Sequence, residues 1–458
     1  MMRVVAMLVA ALAAFSPAVA HAASDAGGHG GTFPLLFFFL AVMLLFARIG
    51  ALAERVGQPA VLGELLLGVF LGVLAWVPGL GVIETLKHET LVKDIAEIGV
   101  ILLLFRAGLE SNIGEMARVG KNALFVALIG VAVPFATGFF ASQMLLPGLS
   151  TNVYLFIGAT LTATSVGITA RVFKDLGTSK SPEAKIVLGA AVIDDVLGLM
   201  ILAVVSSIIK TGSLDPTQIL VISAKAFAFL SGSILLGRFL SPRISALFSK
   251  VHTGHGMKMA IAFIFCAGFA YVASLMGLAM IVGAFAAGLV LDPVHFKDFL
   301  PPAIVTRLRA WASSHPQMEA RKEMEEHAEH EEHAHVENLI DDISRFFVPI
   351  FFVYTGLQVN LSVFGDVKIV GVALVITAIA VFGKLVAGLA AGKGMNRLLV
   401  GVGMVPRGEV GLIFANIGRG LGVVDDRLFA TIVIVVILTT FVTPFALSMI
   451  AKKARASA

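Results

Sequence analysis

Two aspartates, Asp194 and Asp195, stand side by side within "EAKIVLGAAVIDDVLGLMILAVVSSIIK", a run otherwise apolar and long enough to cross a bilayer. A carboxylate at membrane depth costs roughly 2.5–3.5 kcal/mol on insertion scales, so such residues mark ion pathways or buried pairs. Consecutive helical side chains diverge by about 100°, so the pair cannot act as one bidentate clamp. One carboxylate can face a water-filled cavity while the other meets a different partner. Three cations lie in apolar runs: Lys384 in "AIAVFGKLVAGLAAG", Lys225 in "LVISAKAFAFLSG" and Arg106 in "VILLLFRAGLES". Lys384 is the most central. A single Asp–Lys pair could be a static bridge that fixes helix register. A second adjacent carboxylate favours a site that carries an ion.

Two further runs hold residues that let a helix unwind. "IGATLTATSVGITARVF" (157–173) packs Thr160, Thr162, Thr164, Ser165 and Gly167 into mid-membrane, and "LLVGVGMVPRGEVGLIFANIG" (398–418) places Pro406, Arg407, Gly408 and Glu409 there. Unwound backbone is tolerated at that depth only where it is buried in protein or lines a cavity. Secondary transporters pair such half-helices, one from each inverted repeat, around their substrate. The alternative is two small-residue packing helices, which leaves the Pro-Arg-Gly-Glu tetrapeptide unexplained.

The elements that position these residues follow from composition. The chain is 58% hydrophobic and 14% charged, against about 25% charged in soluble domains. Thirteen spans are predicted: 34–53, 58–77, 93–110, 121–145, 153–173, 184–208, 217–239, 257–276, 278–293, 346–360, 367–391, 398–417 and 427–450. The fold class is therefore all-α and polytopic in the lipid bilayer. With the N-terminus outside and the C-terminus cytoplasmic, basic residues such as Arg48, Arg118, Lys121, Arg243, Arg397 and Lys452 collect inside, as the positive-inside rule requires. Span two then runs outward and span nine inward, so spans two to six and nine to thirteen form inverted repeats.

Residues 1–23 carry Arg3, an apolar stretch and the small-residue pattern Ala20–Ala22, which reads as a secretory leader. The single cysteine, Cys266, excludes an intramolecular disulfide. A net charge of +4, with its basic residues in loops, suggests no nucleic-acid partner. Residues 294–345 form one long cytoplasmic insertion, rich in His and Glu at 315–335. There His327, His330, His333 and His335 are spaced for metal binding on a helix face. A solvated acidic loop is the plainer reading, and pH sensing a third.

Five stretches carry a resemblance: "GQPAVLGELLLGVFLG" (57–72), "LLLFRAGLES" (102–111), "TATSVGITARVFKDLG" (162–177), "AAVIDDVLGL" (190–199) and "GMVPRGEVGLI" (403–413). In this order they resemble the monovalent cation:proton antiporter-2 family, and within it the bacterial two-aspartate Na+/H+ antiporters, over residues 34–450. The resemblance implies thirteen helices in a dimerisation domain and a moving core domain, with spans five and twelve as crossed broken helices. It implies that Asp195 binds the cation and proton, that Asp194 pairs with Lys384, and that Thr162, Thr164 and Ser165 help line the site. Arg407, Glu409 and Pro406 would support the second broken helix. Arg106 departs from the pattern, where an apolar residue is more usual, and the His/Glu-rich insertion lies outside it.

The resulting expectation is a secondary active antiporter of the bacterial inner membrane, a homodimer and not an enzyme. It would exchange Na+ for protons without a cofactor, and the Asp-Asp form resembles the electrogenic members. K+ or Li+ exchange by the same architecture is the first alternative. A divalent-metal transporter would need histidines within the spans, and all eleven lie in the leader or in loops on this map.

Overall fold

The computed structural model describes residues 32–457 except 57, 76, 78–82, 85–86, 88, 111–119, 177, 179–180, 213–215, 292–295, 297–298, 315–323, 325–334 and 361–365. The expected leader lies outside the described residues, as do His327, His330 and His333. Among the described residues there is no strand. The helices are α1 (Thr32–Gly50), α2 (Ala60–Leu74), α3 (Thr90–Glu110), α4 (Lys121–Leu145), α5 (Thr151–Thr160), α6 (Val166–Asp175), α7 (Pro182–Thr211) and α8 (Pro216–Ser249). They continue with α9 (His255–Leu275), α10 (Met280–Val290), α11 (Ala303–Ser314), α12 (His335–Leu357), α13 (Val367–Gly388), α14 (Arg397–Gly403), α15 (Gly408–Gly420) and α16 (Asp426–Ser457).

Among the described residues, six segments are each long and apolar enough to cross a membrane: Leu36–Arg55, Lys121–Leu145, Pro182–Thr211, His255–Leu275, Val367–Ala391 and Asp426–Ala451. The bent helix α8 makes a seventh if its two parts form one span. Of the other expected spans, α2 and α10 are shorter apolar helices. The runs at 153–173 and 398–417 are each interrupted, as α5 and α6 and as α14 and α15.

The chain divides into two units. The first comprises Met1–Ile98, Glu115–Ser213 and Val348–Ala458. In it α13 packs along α4, which also receives α5 and α7. Val126, Ala127, Phe173, Val187, Ala190, Val400 and Met404 form one buried cluster joining α4, α6, α7 and α14. Close approach along the α4–α13 seam depends on small residues, because a Cβ on Gly383 would lie 2.9 Å from Pro134 Cγ.

The second unit comprises Gly99–Gly114 and Leu214–Phe347. Its core packs Phe105, Ile261, Phe265, Ala284 and Ala287 with Val336 and Ile340. Here the structure differs from the sequence expectation. Helix α12 starts at His335 instead of at 346, and α11 occupies part of the insertion. Hydropathy misses the first turns of α12 because they are amphipathic. Val336, Ile340 and Ser344 are buried at a spacing of four, the repeat that puts residues on one helix face. On another face Arg106 Nη1 meets Asp341 Oδ1 at 2.5 Å, and Arg345 Nη2 meets Asp341 Oδ2 at 2.8 Å. Arg106 thus has a carboxylate partner in its own unit.

Candidate functional site

Asp194 and Lys384 meet in the first unit. Both side chains are 0% exposed, and Lys384 Nζ lies 3.1 Å from Asp194 Oδ2 and 3.3 Å from Oδ1. Nζ also donates to the carbonyl of Thr162 at 2.6 Å. An ammonium out of water needs its protons taken up by acceptors, and these three oxygens do so. Of the other two cations considered from sequence, Lys225 is exposed and Arg106 pairs with Asp341. Asp195, the next residue on α7, is partly exposed where Asp194 is fully buried. The two carboxylates therefore sit in different surroundings, as the 100° rotation per residue demands.

The Thr162 carbonyl is available because the chain between α5 and α6 leaves the helix at 161–165. The last carbonyls of a helix lack intrahelical partners and carry its negative dipole end. At α5 that end receives two cations. Besides Lys384, the buried Arg407 donates from Nη1 to the carbonyls of Leu161 and Ala163, the second at 2.8 Å, and from Nη2 to Ala380 of α13 at 3.3 Å. The sequence points to Arg407 as a support of its own broken helix; its guanidinium bonds run to the other break and to α13.

The second break, 404–407, is held to the first by uncharged bonds. Ser165 N donates to the Pro406 carbonyl at 2.8 Å, Thr164 Oγ1 to Met404 at 3.1 Å and Thr169 Oγ1 to Gly403 at 2.7 Å. Gly408 opens α15 at φ +40°, and a Cβ there would lie 2.6 Å from Ser165 Cβ. Only glycine fits a left-handed backbone pressed against a neighbouring chain. Ser165 Oγ accepts from Ile168 N at 3.4 Å, at the start of α6. The Thr162 hydroxyl donates to Ala159 at 2.8 Å and faces Gly198 on α7, one turn beyond Asp195.

Asp194, Asp195, Thr162, Thr164, Ser165, Lys384, Pro406 and Arg407 thus lie within this unit, and His335 lies in the second. Glu409 falls in the first turn of α15 and His335 at the start of α12, but their side chains lie outside those described. No group of His, Cys, Asp or Glu among the described residues could hold a metal. Sequence reasoning missed Thr169, although it stands five residues after Thr164 in the same quoted motif. It also missed Gly130 of α4, where an added Cβ would lie 3.6 Å from Lys384 Nζ; nothing but an apolar spacing marked that position.

A buried carboxylate–ammonium pair set at unwound backbone among membrane-length helices defines a class, the ion-coupled membrane transporters. The chain belongs to the sodium/hydrogen exchanger family, whose transmembrane model matches residues 6–304 and 319–453. It is 35% identical to the high-affinity Na+/H+ antiporter NhaS3 of Synechocystis sp. over 88% of this chain and 87% of that one. It is 33% identical to the Na+/H+-K+ antiporter GerN of Bacillus cereus, over 89% and 94% respectively. Among solved structures, the fold matches the sodium proton antiporter MjNhaP1 of Methanocaldococcus jannaschii with a TM-score of 0.64 and 17% identity, over 92% of this chain and 97% of that one.

Proposed function

We propose that the protein exchanges Na+ for protons across the bacterial inner membrane by alternating access. The observation that carries this reading is the Asp194–Lys384 pair, wholly buried on the Thr162 carbonyl, beside a second carboxylate that is not wholly buried. In this reading Asp195 is the ligand for which Na+ and protons compete. Either one neutralises the site before it crosses. An empty, charged site is penalised by desolvation, and this prevents uncoupled return. Asp194 is kept charged by Lys384, while Thr162, Thr164 and Ser165 supply the polar wall. Arg407, Pro406 and Glu409 hold the breaks together.

The wider assignment follows the same logic. Thirteen spans would form two inverted repeats over residues 34–450, with residues 1–23 as a leader and 294–345 as a cytoplasmic insertion. Spans five and twelve would be the crossed broken helices. The N-terminus would lie outside, the C-terminus inside, and two copies would pair as a homodimer. In this reading the Asp194–Lys384 pair exchanges a second proton, giving about two protons per Na+, so a membrane potential alone should drive exchange.

K+ exchange is the second reading, and the Na+/H+-K+ designation of the GerN relative favours testing it. The test is a pH-dye assay in proteoliposomes with Na+, Li+ and K+ in turn. Proton movement with Na+ but not K+ supports the first reading; movement with K+ alone would replace it. No response to any of the three, in folded protein, would overturn both.

A further inference from the structure

Helices α4 and α13 belong to segments long and apolar enough to cross a membrane, and they meet along a tight seam where Gly383 faces Pro134. Beside that seam, toward the Leu145 end of α4 and the Val367 end of α13, an open groove of about 580 Å³ runs between them. Its walls include Phe140 and Met144 of α4 and Val375, Ile379 and Phe382 of α13. Phe140, Met144 and Phe382 are 63%, 85% and 58% exposed. Thr137 is the only lining residue with a polar side chain, and its hydroxyl donates to the Val133 carbonyl at 2.7 Å. The groove therefore offers apolar surface alone, at a size within the range of ligand clefts, about 300–1,000 Å³.

One end of the groove points at a cation. Seven residues along a helix return to the same face within about 20°, so Lys368, Val375 and Phe382 form one line on α13. Gly371 lies beside that line between Lys368 and Val375, and a Cβ there would meet nothing within 4 Å. The path from the groove to Lys368 is thus uncovered. Lys368 is exposed and forms no ion pair among the described residues. Its backbone amide donates to Asp366 Oδ1 at 2.9 Å, which turns that carboxylate to the start of the helix. An apolar trough at membrane depth that leads, about 10 Å further on, to an exposed ammonium matches an acyl chain below a phosphate. Lysines at this level are drawn to anionic headgroups.

We propose that this groove binds an anionic phospholipid of the bilayer, with an acyl chain between α4 and α13 and the phosphate on Lys368. A zwitterionic lipid fits the groove as well but gives Lys368 no net charge to meet. In the orientation proposed above, the site lies in the outer leaflet. The bound chain lies against Phe382, two residues from Lys384, whose side chain is turned into the buried pair with Asp194. The inference uses the proposed orientation only to assign the leaflet, and its test does not need exchange to occur.

The test uses full-length protein in which Trp76→Phe and Trp311→Phe remove the two native tryptophans and Phe140→Trp places one in the groove wall. Phe382→Trp serves if that variant does not fold. A control carries Tyr271→Trp instead, at a 65% exposed position of α9 followed by no basic residue through 279. Each is reconstituted in phosphatidylcholine vesicles holding the same fraction of brominated phosphatidylglycerol or brominated phosphatidylcholine, and fluorescence quenching is read. The groove reporter should prefer phosphatidylglycerol by about fivefold, the worth of one lysine beside anionic lipid, and the control should show no preference. Lys368→Gln should abolish the preference while quenching by phosphatidylcholine persists. Gly371→Phe, which keeps the charge and fills the path, should lower it too. Equal preference at both reporters, none at either, or a preference that survives Lys368→Gln at the parent's melting temperature would overturn the site. A protein that shows the preference but exchanges no cation would fault the transport reading and leave the lipid site standing.

Discussion

At the first helix break the carbonyls of Leu161, Thr162 and Ala163 receive two cations, Lys384 and Arg407. At the second, the carbonyls of Gly403, Met404 and Pro406 receive two hydroxyls and a backbone amide. Both breaks arise from short runs of small, β-branched or helix-breaking residues, yet their electrostatics differ. A helix C-terminus enters each break, α5 at the first and α14 at the second, but only the first is a cup with cations docked on its carbonyls. The second supplies one of the cations from its own side chain and otherwise acts as scaffold. The lesson is that an unwound segment becomes an ion site through what docks on its carbonyls.

The comparison can be broken most forcefully at Lys384. Lys384→Ala leaves Asp194 buried without its cation, and exchange should vanish. Breaking a buried pair by removing one partner costs roughly 3–5 kcal/mol, so the melting temperature should fall well below that of the parent. Adding Asp194→Asn should recover part of that loss. A stable Lys384→Ala protein would mean that the cup does not need Lys384 and that Arg407 alone suffices.

Gly408→Ala comes next. A left-handed backbone costs a residue with a Cβ roughly 1–2 kcal/mol, and crowding in a packed core adds typically 1–3 kcal/mol. Because the added methyl meets Ser165 Cβ, the variant should be destabilised and should separate the two breaks. Thermal melting checks the first effect; normal stability would show that the approach of the breaks is relaxed elsewhere.

The smallest effect is expected at the scaffold bonds. Thr169→Val removes one hydroxyl from the Gly403 carbonyl and should cost about 1–3 kcal/mol for the buried acceptor left behind, with exchange slowed rather than lost. If Thr169→Val abolished exchange in folded protein, the division into ion site and scaffold would fail.

Much of this arrangement was legible in the sequence, because membrane burial makes every polar residue conspicuous. Asp194, Asp195 and Lys384 stand out in apolar runs, and Pro406-Arg407-Gly408 announces a break. What stayed hidden depends on the third dimension. Nothing local says that Arg407 reaches the carbonyls of Leu161 and Ala163, some 240 positions away in sequence. The early start of α12 was missed for a different reason. Its first turns bury only the Val336, Ile340 and Ser344 stripe, and a hydropathy window averages that stripe with Glu337, Asp341 and Arg345. Arg106 was an unexplained departure until Asp341 came to lie beside it.

The central claim is that neighbouring aspartates hold separate offices: Asp194 is anchored by Lys384, and Asp195 carries the ion. The most direct measurement is Na+-driven proton movement by Asp195→Asn in proteoliposomes, read by an internal pH dye, with thermal melting recorded on the same preparation. The substitution keeps size and removes the charge for which Na+ and protons compete. Exchange should fall to the level of empty liposomes while the melting temperature stays at or above that of the parent. Parent-like exchange in that variant would contradict the assignment.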